Sequence, residues 1–118
     1  MKVMVVDDSK FMRKLISKIV SKAGHNVVCE AKDGEEALRK LIECKPDLVI
    51  LDINMPVMSG LSVLEEAQKL NVNSEFIVLT AMDQPWVIDE AMKLGVKYFI
   101  PKPLKPQELL KVLSRVGK

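Results

Sequence analysis

Five times along this chain a short, continuous apolar run gives way to a segment with helical apolar spacing, and that alternation leaves few folds open. The runs begin near Lys2, Asn26, Asp47, Glu75 and Lys97. In the segments that follow, one face of a helix can be traced each time. Phe11, Leu15, Ile16, Ile19 and Val20 share such a face before Gly24 supplies a C-terminal stop. Asp33 and Glu36 form a capping-box pattern ahead of Ala37, Leu38, Leu41 and Ile42, with Pro46 beyond the end. Leu61, Leu64 and Ala67 mark a third helix, and Val87, Ile88, Ala91 and Met92, ending at Gly95, a fourth. Leu109, Leu110, Leu113 and Val116 mark a fifth, after Pro106. The pattern predicts an α/β chain of the form (βα)5 with short loops. Strands that are apolar throughout need both faces covered, so helices must lie on both sides of a parallel sheet.

Where the runs end is as informative as their number. Lys2-Val3-Met4-Val5-Val6 stops at Asp7-Asp8, Leu48-Val49-Ile50-Leu51 at Asp52, Phe76-Ile77-Val78-Leu79 at Thr80, and Tyr98-Phe99-Ile100-Pro101 at Lys102. In an open parallel sheet these endings fall along the carboxyl edge, where such sheets place their sites. We adopt the strand order 2-1-3-4-5, which sets the first and third strands side by side and faces Asp7 and Asp8 toward Asp52. Acids, a hydroxyl and an ammonium then meet at one spot, a combination suited to a divalent cation and a phosphoryl group.

The bulk properties exclude several classes. A chain of 118 residues is expected to form one domain, 1–118. A formal net charge of +2, from 18 basic and 16 acidic residues in mixed pattern, argues against a nucleic-acid groove or a polybasic membrane patch. No apolar stretch is long enough for membrane insertion, and Met1-Lys2-Val3 runs straight into a strand. Cys29 and Cys44 lack metal-ligand spacing and read as reduced core thiols of a cytoplasmic protein. His25, beside Gly24, reads as a turn residue, and the seven methionines mostly as core filler.

Four motifs now stand in order: Val6-Asp7-Asp8-Ser9; Leu51-Asp52-Ile53-Asn54-Met55-Pro56 followed by Met58-Ser59-Gly60; Leu79-Thr80-Ala81; and Lys102-Pro103. Over its whole length the chain resembles a response-regulator receiver domain, with the flavodoxin-like doubly wound sheet from which the strand order above is borrowed. Phe11-Met12-Arg13 and the stretch from Ala81-Met82 to Val87-Ile88 are most similar to the stand-alone chemotaxis regulators.

The resemblance implies that Asp52 accepts a phosphoryl group from a phosphohistidine of a sensor histidine kinase. It implies Mg²⁺ on Asp8 and Asp52 directly, on Asp7 largely through water, and on the Asn54 backbone carbonyl. A shell with so few protein ligands suits Mg²⁺ better than Ca²⁺, and three uncompensated acids would raise one another's pKa. Lys102 and Thr80 are expected to contact phosphoryl oxygens, with the bond before Pro103 cis. Asn54 and Met82 flank the path of the water that hydrolyses the acyl phosphate and should tune its lifetime.

Output is expected to pass from Thr80 to Phe99 and a patch of Ile88, Met92 and Pro101 on the fourth helix, fifth strand and fifth helix. The implied partners are a motor switch protein or a histidine phosphotransfer domain, and a phosphatase. Two positions depart from the usual pattern. Phe99 stands where the chemotaxis regulators carry a tyrosine, and Pro101 ends a strand that must then lie at the sheet's edge. The alternatives are a phosphorelay carrier or a receiver cut from a longer regulator. An aspartyl-nucleophile phosphatase of the haloacid-dehalogenase type needs an acid two residues after the nucleophile, where this chain has Asn54. A flavodoxin-type FMN carrier would not present Asp7 and Asp8 to a phosphate.

Overall fold

The computed structural model describes residues 1–116, so the last two residues of the expected domain 1–118 lie outside the described residues. Five strands, β1 (Lys2–Val6), β2 (Asn26–Ala31), β3 (Leu48–Asp52), β4 (Glu75–Thr80) and β5 (Tyr98–Pro101), alternate with five helices. These are α1 (Lys10–Lys22), α2 (Gly34–Cys44), α3 (Gly60–Lys69), α4 (Pro85–Lys93) and α5 (Pro106–Leu113). The strands form one parallel sheet in the order 2-1-3-4-5, as expected from the sequence.

The period of two sorts strand side chains between two cores. Met4, Val6, Val49, Leu51 and Val78 point toward α2, α3 and α4, where they meet Ala37, Leu41, Val63, Leu64 and Ala91. Val3, Val5, Ile50, Ile77, Leu79 and Ile100 point the other way, toward Ile16, Ile19 and Val20 of α1 and Leu109 and Leu113 of α5. All of β3 is buried, as a central strand covered on both faces must be. Burying one such Leu, Ile or Val side chain is worth roughly 1.5–3 kcal/mol.

Local signals set the helix starts. The Ser9 hydroxyl accepts from Met12 N at 3.2 Å, Asp33 Oδ1 from Glu36 N at 2.8 Å, and the Ser59 hydroxyl from Ser62 N at 3.3 Å. Pro85 and Pro106 open α4 and α5 instead, where a missing N–H costs nothing. The helix faces differ in part from the expectation. Phe11, Ile42, Met92 and Leu110 project into solvent, while Val116 is buried in the turn beyond α5. Of the methionines only Met4 and Met55 are fully buried, and Cys29 and Cys44 are half-buried rather than core residues.

Candidate functional site

Because β1 and β3 pair with Val6 opposite Leu51, the residues that follow each strand emerge together at the carboxyl edge. Asp7, Asp8 and Asp52 can each offer a carboxylate oxygen within 4.8 Å of the others'. Asp7 and Asp52 are only 3% and 2% exposed, whereas Asp8 faces solvent. Buried carboxylates need partners, and both have them. Asp7 Oδ1 accepts from Ser9 N at 2.9 Å; Asp52 Oδ1 accepts from Asn54 N at 3.0 Å and from the Lys102 ammonium at 2.7 Å.

Lys102 reaches Asp52 across β4, and its own backbone N–H extends the β4–β5 pairing by donating to the Thr80 carbonyl at 2.8 Å. The bond from Lys102 to Pro103 is cis. Pro101 pairs with Thr80 at the outer edge of the sheet, the place where a strand tolerates proline. Thr80 is buried, and its hydroxyl accepts the Met82 N–H at 3.1 Å, which leaves its own proton free to be donated.

The electrostatics follow from this crowding. Burial is the main cause that pushes the Asp7 carboxyl up to about 6; the Ser9 N–H holds it back, the charges of Asp52 and Asp8 raise it further, and the Lys102 ammonium lowers it. Lys102 cannot neutralise three acids alone. Hard oxygen donors crowded together, with the Asp7 carboxyl pushed up among them, are the donor chemistry a divalent cation relieves, so these residues fit one.

Backbone geometry completes the site. A Cβ on Gly60 would come within 2.7 Å of the Asp52 carbonyl oxygen and the Ile53 Cα, so only glycine lets α3 start this close to the strand end. Val57 (φ 68°) and Met82 (φ 61°) hold the left-handed conformation in the two loops that flank the acids, uncommon for any residue but glycine and most of all for the β-branched Val57. Of the expected site residues, Asp7, Asp8, Asp52, Thr80 and Lys102 converge, with Asn54 and Met82 attached through their N–H groups. The expected output residues sit on α4 and β5. Ile88 is half-buried on α4, Met92 and Pro101 are exposed, and Phe99 is half-buried against the core beneath α3 and α4 rather than turned outward.

Arg13 was legible only as part of a motif. In the structure its guanidinium donates to the Asp7 carbonyl at 2.8 Å and pairs with Glu30 at 3.3 Å, tying the acidic loop to β2. Its place one turn beyond the Ser9 cap was the available signal. Val57 gave no signal at all, because nothing in its residue type announces a left-handed backbone.

Residues 3–114 match the response regulator receiver domain family, and the chain belongs to it. It is thus a signalling domain of the two-component type rather than a catalytic enzyme. Within that family it is similar to the chemotaxis protein CheY of Thermotoga maritima, with 43% identity over 99% of this chain and 98% of that one. The CheY of Listeria monocytogenes is 40% identical over 100% of this chain and 99% of its own. Among solved structures, the CheX-CheY-BeF3-Mg+2 complex from Borrelia burgdorferi superposes with a TM-score of 0.91 at 34% identity, covering 99% of this chain and 90% of that one. These relatives support a role in chemotaxis signalling.

Proposed function

We propose that Asp52 accepts a phosphoryl group from a phosphohistidine of a sensor histidine kinase, and that the acyl phosphate switches the α4–β5–α5 face to bind a chemotaxis partner. The observation that carries this reading is Asp52 itself. It is a buried carboxylate held by an ammonium and a backbone N–H, with two further acids within reach. An Asp52 oxygen forms the new P–O bond, the P–N bond of the donor breaks, and the departing imidazole takes up a proton.

Asp7, Asp8 and Asp52, with the Asn54 carbonyl, would hold Mg²⁺, which would supply neutralisation of the phosphoryl charge. The chain's own groups do the rest. Lys102 transfers its hydrogen bond from Asp52 to a phosphoryl oxygen, and Thr80 donates the hydroxyl proton that Met82 leaves free. Donation draws Thr80 toward the phosphate and opens space along the sheet for Phe99, whose strand neighbour is Val78. Phosphorylation can only shift a balance between states the protein already visits. Because the Met82 thioether cannot orient an attacking water, self-dephosphorylation is slow to moderate. In the Borrelia complex the relative is found with CheX, BeF3 and Mg+2, which supports both an Mg²⁺-dependent phosphoacceptor and a second protein, such as a phosphatase or motor switch component, that reads the site.

The test is labelling with acetyl phosphate and with a phosphorylated kinase. Asp52→Asn should abolish it. Trp86, exposed on the first turn of α4, should report the switch by fluorescence, and Thr80→Ala should keep labelling yet lose most of that change and most phosphorylation-dependent partner binding. Undiminished labelling of the Asp52→Asn protein overturns the reading.

A further inference from the structure

The outer strand β2 has a single strand neighbour, β1, and the pairing between them is irregular. Val3 lies opposite Val27 and Met4 opposite Cys29, so Val28 is an extra residue on the outer strand, and it faces solvent. In a regular strand Val27 and Cys29 would share a face. The bulge separates them. Val27 packs with the core beneath α1 and α5, whereas Cys29 is turned to the other core, the one that holds Ala37 and Leu41 of α2.

Helix α2 follows β2 and returns along it on that side. One turn before the helix ends, the Lys40 ammonium donates to the carbonyl of Glu30, the residue next to Cys29. Cys44 is one turn further along the same face of α2, and its thiol comes to stand beside that of Cys29. Burial is the main cause that pushes the Cys29 thiol up to about 12; the hydrogen bond and charge of Cys44 follow, Lys40 lowers it and Glu43 raises it. Both cysteines are half-buried, so a small solute reaches them. A structural core thiol is covered and inert, whereas two accessible thiols side by side are the arrangement that oxidises to a disulfide. Neither belongs to the acidic site, and the expectation of reduced core thiols describes only one of the two states this pair can take.

We propose that Cys29 and Cys44 form an oxidation site, closing reversibly to a disulfide when the protein meets hydrogen peroxide, and that the bridge staples the outer strand to α2. The proposal stands apart from the phosphoacceptor reading and uses none of its residues. Cys44 reacts first, because Cys29 keeps its proton. The Cys44 thiolate sulfur attacks one peroxide oxygen, the O–O bond breaks, and the hydroxide released takes up a proton as water, leaving Cys44 as a sulfenic acid. That step removes the Cys44 charge that had raised the Cys29 thiol. Cys29 then gives up its proton, its sulfur attacks the Cys44 sulfur, the S–O bond breaks and a second water leaves. Two thiols have together lost two electrons to one peroxide, which ends as two waters. A thiol reductant returns the electrons and reopens the bridge. Closing a loop through α2 removes freedom from the unfolded chain, and β2, hydrogen-bonded on one side only, is held by a covalent bond where it has no second strand.

The experiment takes the full chain, reduced with dithiothreitol and then freed of it, and treats it with hydrogen peroxide beside Cys29→Ser and Cys44→Ser. Thiol titration, peptide mass spectrometry and thermal denaturation are the readouts. In the parent both thiols should disappear together, and the peptides that carry Cys29 and Cys44 should be joined with the loss of two hydrogens. No larger species should form on a non-reducing gel. Tm should rise by several degrees, and dithiothreitol should reverse every change. Cys29→Ser should stop at a sulfenic acid on Cys44 that dimedone traps. Cys44→Ser should lose its remaining thiol about tenfold or more slowly than the parent loses its pair. Bridges formed only between chains, sulfinic acid on both thiols without a bridge, or thiols that react only once the protein is unfolded would each overturn the proposal. So would thiol loss in Cys44→Ser as fast as in the parent, since the bridge would then owe nothing to the pair.

Discussion

The two edges of the sheet use the same backbone conformation with different residues, and the difference shows where the molecule carries its strain. At the amino edge the left-handed positions are Gly24, Lys45, Asn71 and Gly95, each ending a helix before the next strand. Three of these are glycine or asparagine, the types that tolerate the conformation, and the carbonyls of the helix ends are satisfied there. At the carboxyl edge the left-handed residues are Val57 and Met82, beside the acids. Buried polarity follows the same division, because among the described residues Asp7, Asp52 and Thr80 are the buried polar ones and all belong to the carboxyl edge. Cavities do not follow it: hollows of about 370 and 850 Å³ open at the amino edge around Asn73, Ser74 and Glu75, away from the acids. One edge is built for stability, and the other trades stability for chemistry.

The largest expected effect divides the edges by activity. Asp8→Ala should lower Mg²⁺ affinity and phosphoryl labelling together, each by tenfold or more on the order expected when a direct ligand is lost. Glu75→Gln, which alters a half-buried carboxylate at the opposite edge, should leave both within about twofold. Calorimetric Mg²⁺ titration and acetyl phosphate labelling read the two quantities. Equal losses in both variants would erase the distinction.

The next effect concerns stability and pH. Folding raises the Asp7 carboxyl from 3.8 to about 6, so the folded state holds a proton that the unfolded state releases. The stability that depends on this proton is complete below about pH 4 and is lost as pH rises through about 6, up to roughly 3 kcal/mol in the absence of a divalent cation. Asp7→Asn cannot make that loss. Urea denaturation in chelator should show it more stable than the parent at pH 8 by up to that amount and little different near pH 4. Added Mg²⁺ should close the gap by stabilising the parent alone. Equal pH dependence in both proteins would mean Asp7 is not strained in the fold.

What could be read from the chain follows the range of the forces involved. Strand identity and the edge residues Asp7, Asp52, Thr80 and Lys102 were legible, because an apolar run and the polar residue that ends it are adjacent in sequence. The helix faces were legible only in part. An apolar residue one position off the buried stripe lies about 100° away, which is enough to put Phe11, Ile42, Met92 and Leu110 in solvent. Arg13 acts across elements, on Asp7 and Glu30, and such a contact has no local signature. The left-handed Val57 was invisible for the opposite reason: its residue type argues against the conformation it holds.

That mismatch sets the third effect. A β-branched residue held left-handed costs on the order of 1–3 kcal/mol, while glycine there gives back roughly 0.5–1 kcal/mol in unfolded-state entropy. Val57 is fully exposed, so Val57→Gly removes no packing and should stabilise the protein by about 1 kcal/mol, a rise of several degrees in Tm. If the strain serves to hold the loop over Asp52, the same variant should also label more slowly with acetyl phosphate. A gain in stability with unchanged labelling would separate strain from function.

The smallest effect lies at the amino edge and completes the comparison. Asn71 holds φ 56° just after α3, and its N–H donates to the Gln68 carbonyl at 3.1 Å, a bond that any residue in this conformation keeps. Asparagine is among the few side chains that visit the left-handed region readily, so glycine has little strain to remove, and its greater unfolded-state freedom opposes what remains. Asn71→Gly should therefore change stability by no more than a few tenths of a kcal/mol, in contrast to Val57→Gly. Chemical denaturation of the two variants side by side measures the difference. A gain at Asn71 as large as that at Val57 would show that left-handed strain is spread along both edges, and the division between a stable edge and a working edge would have to rest on the buried charges alone.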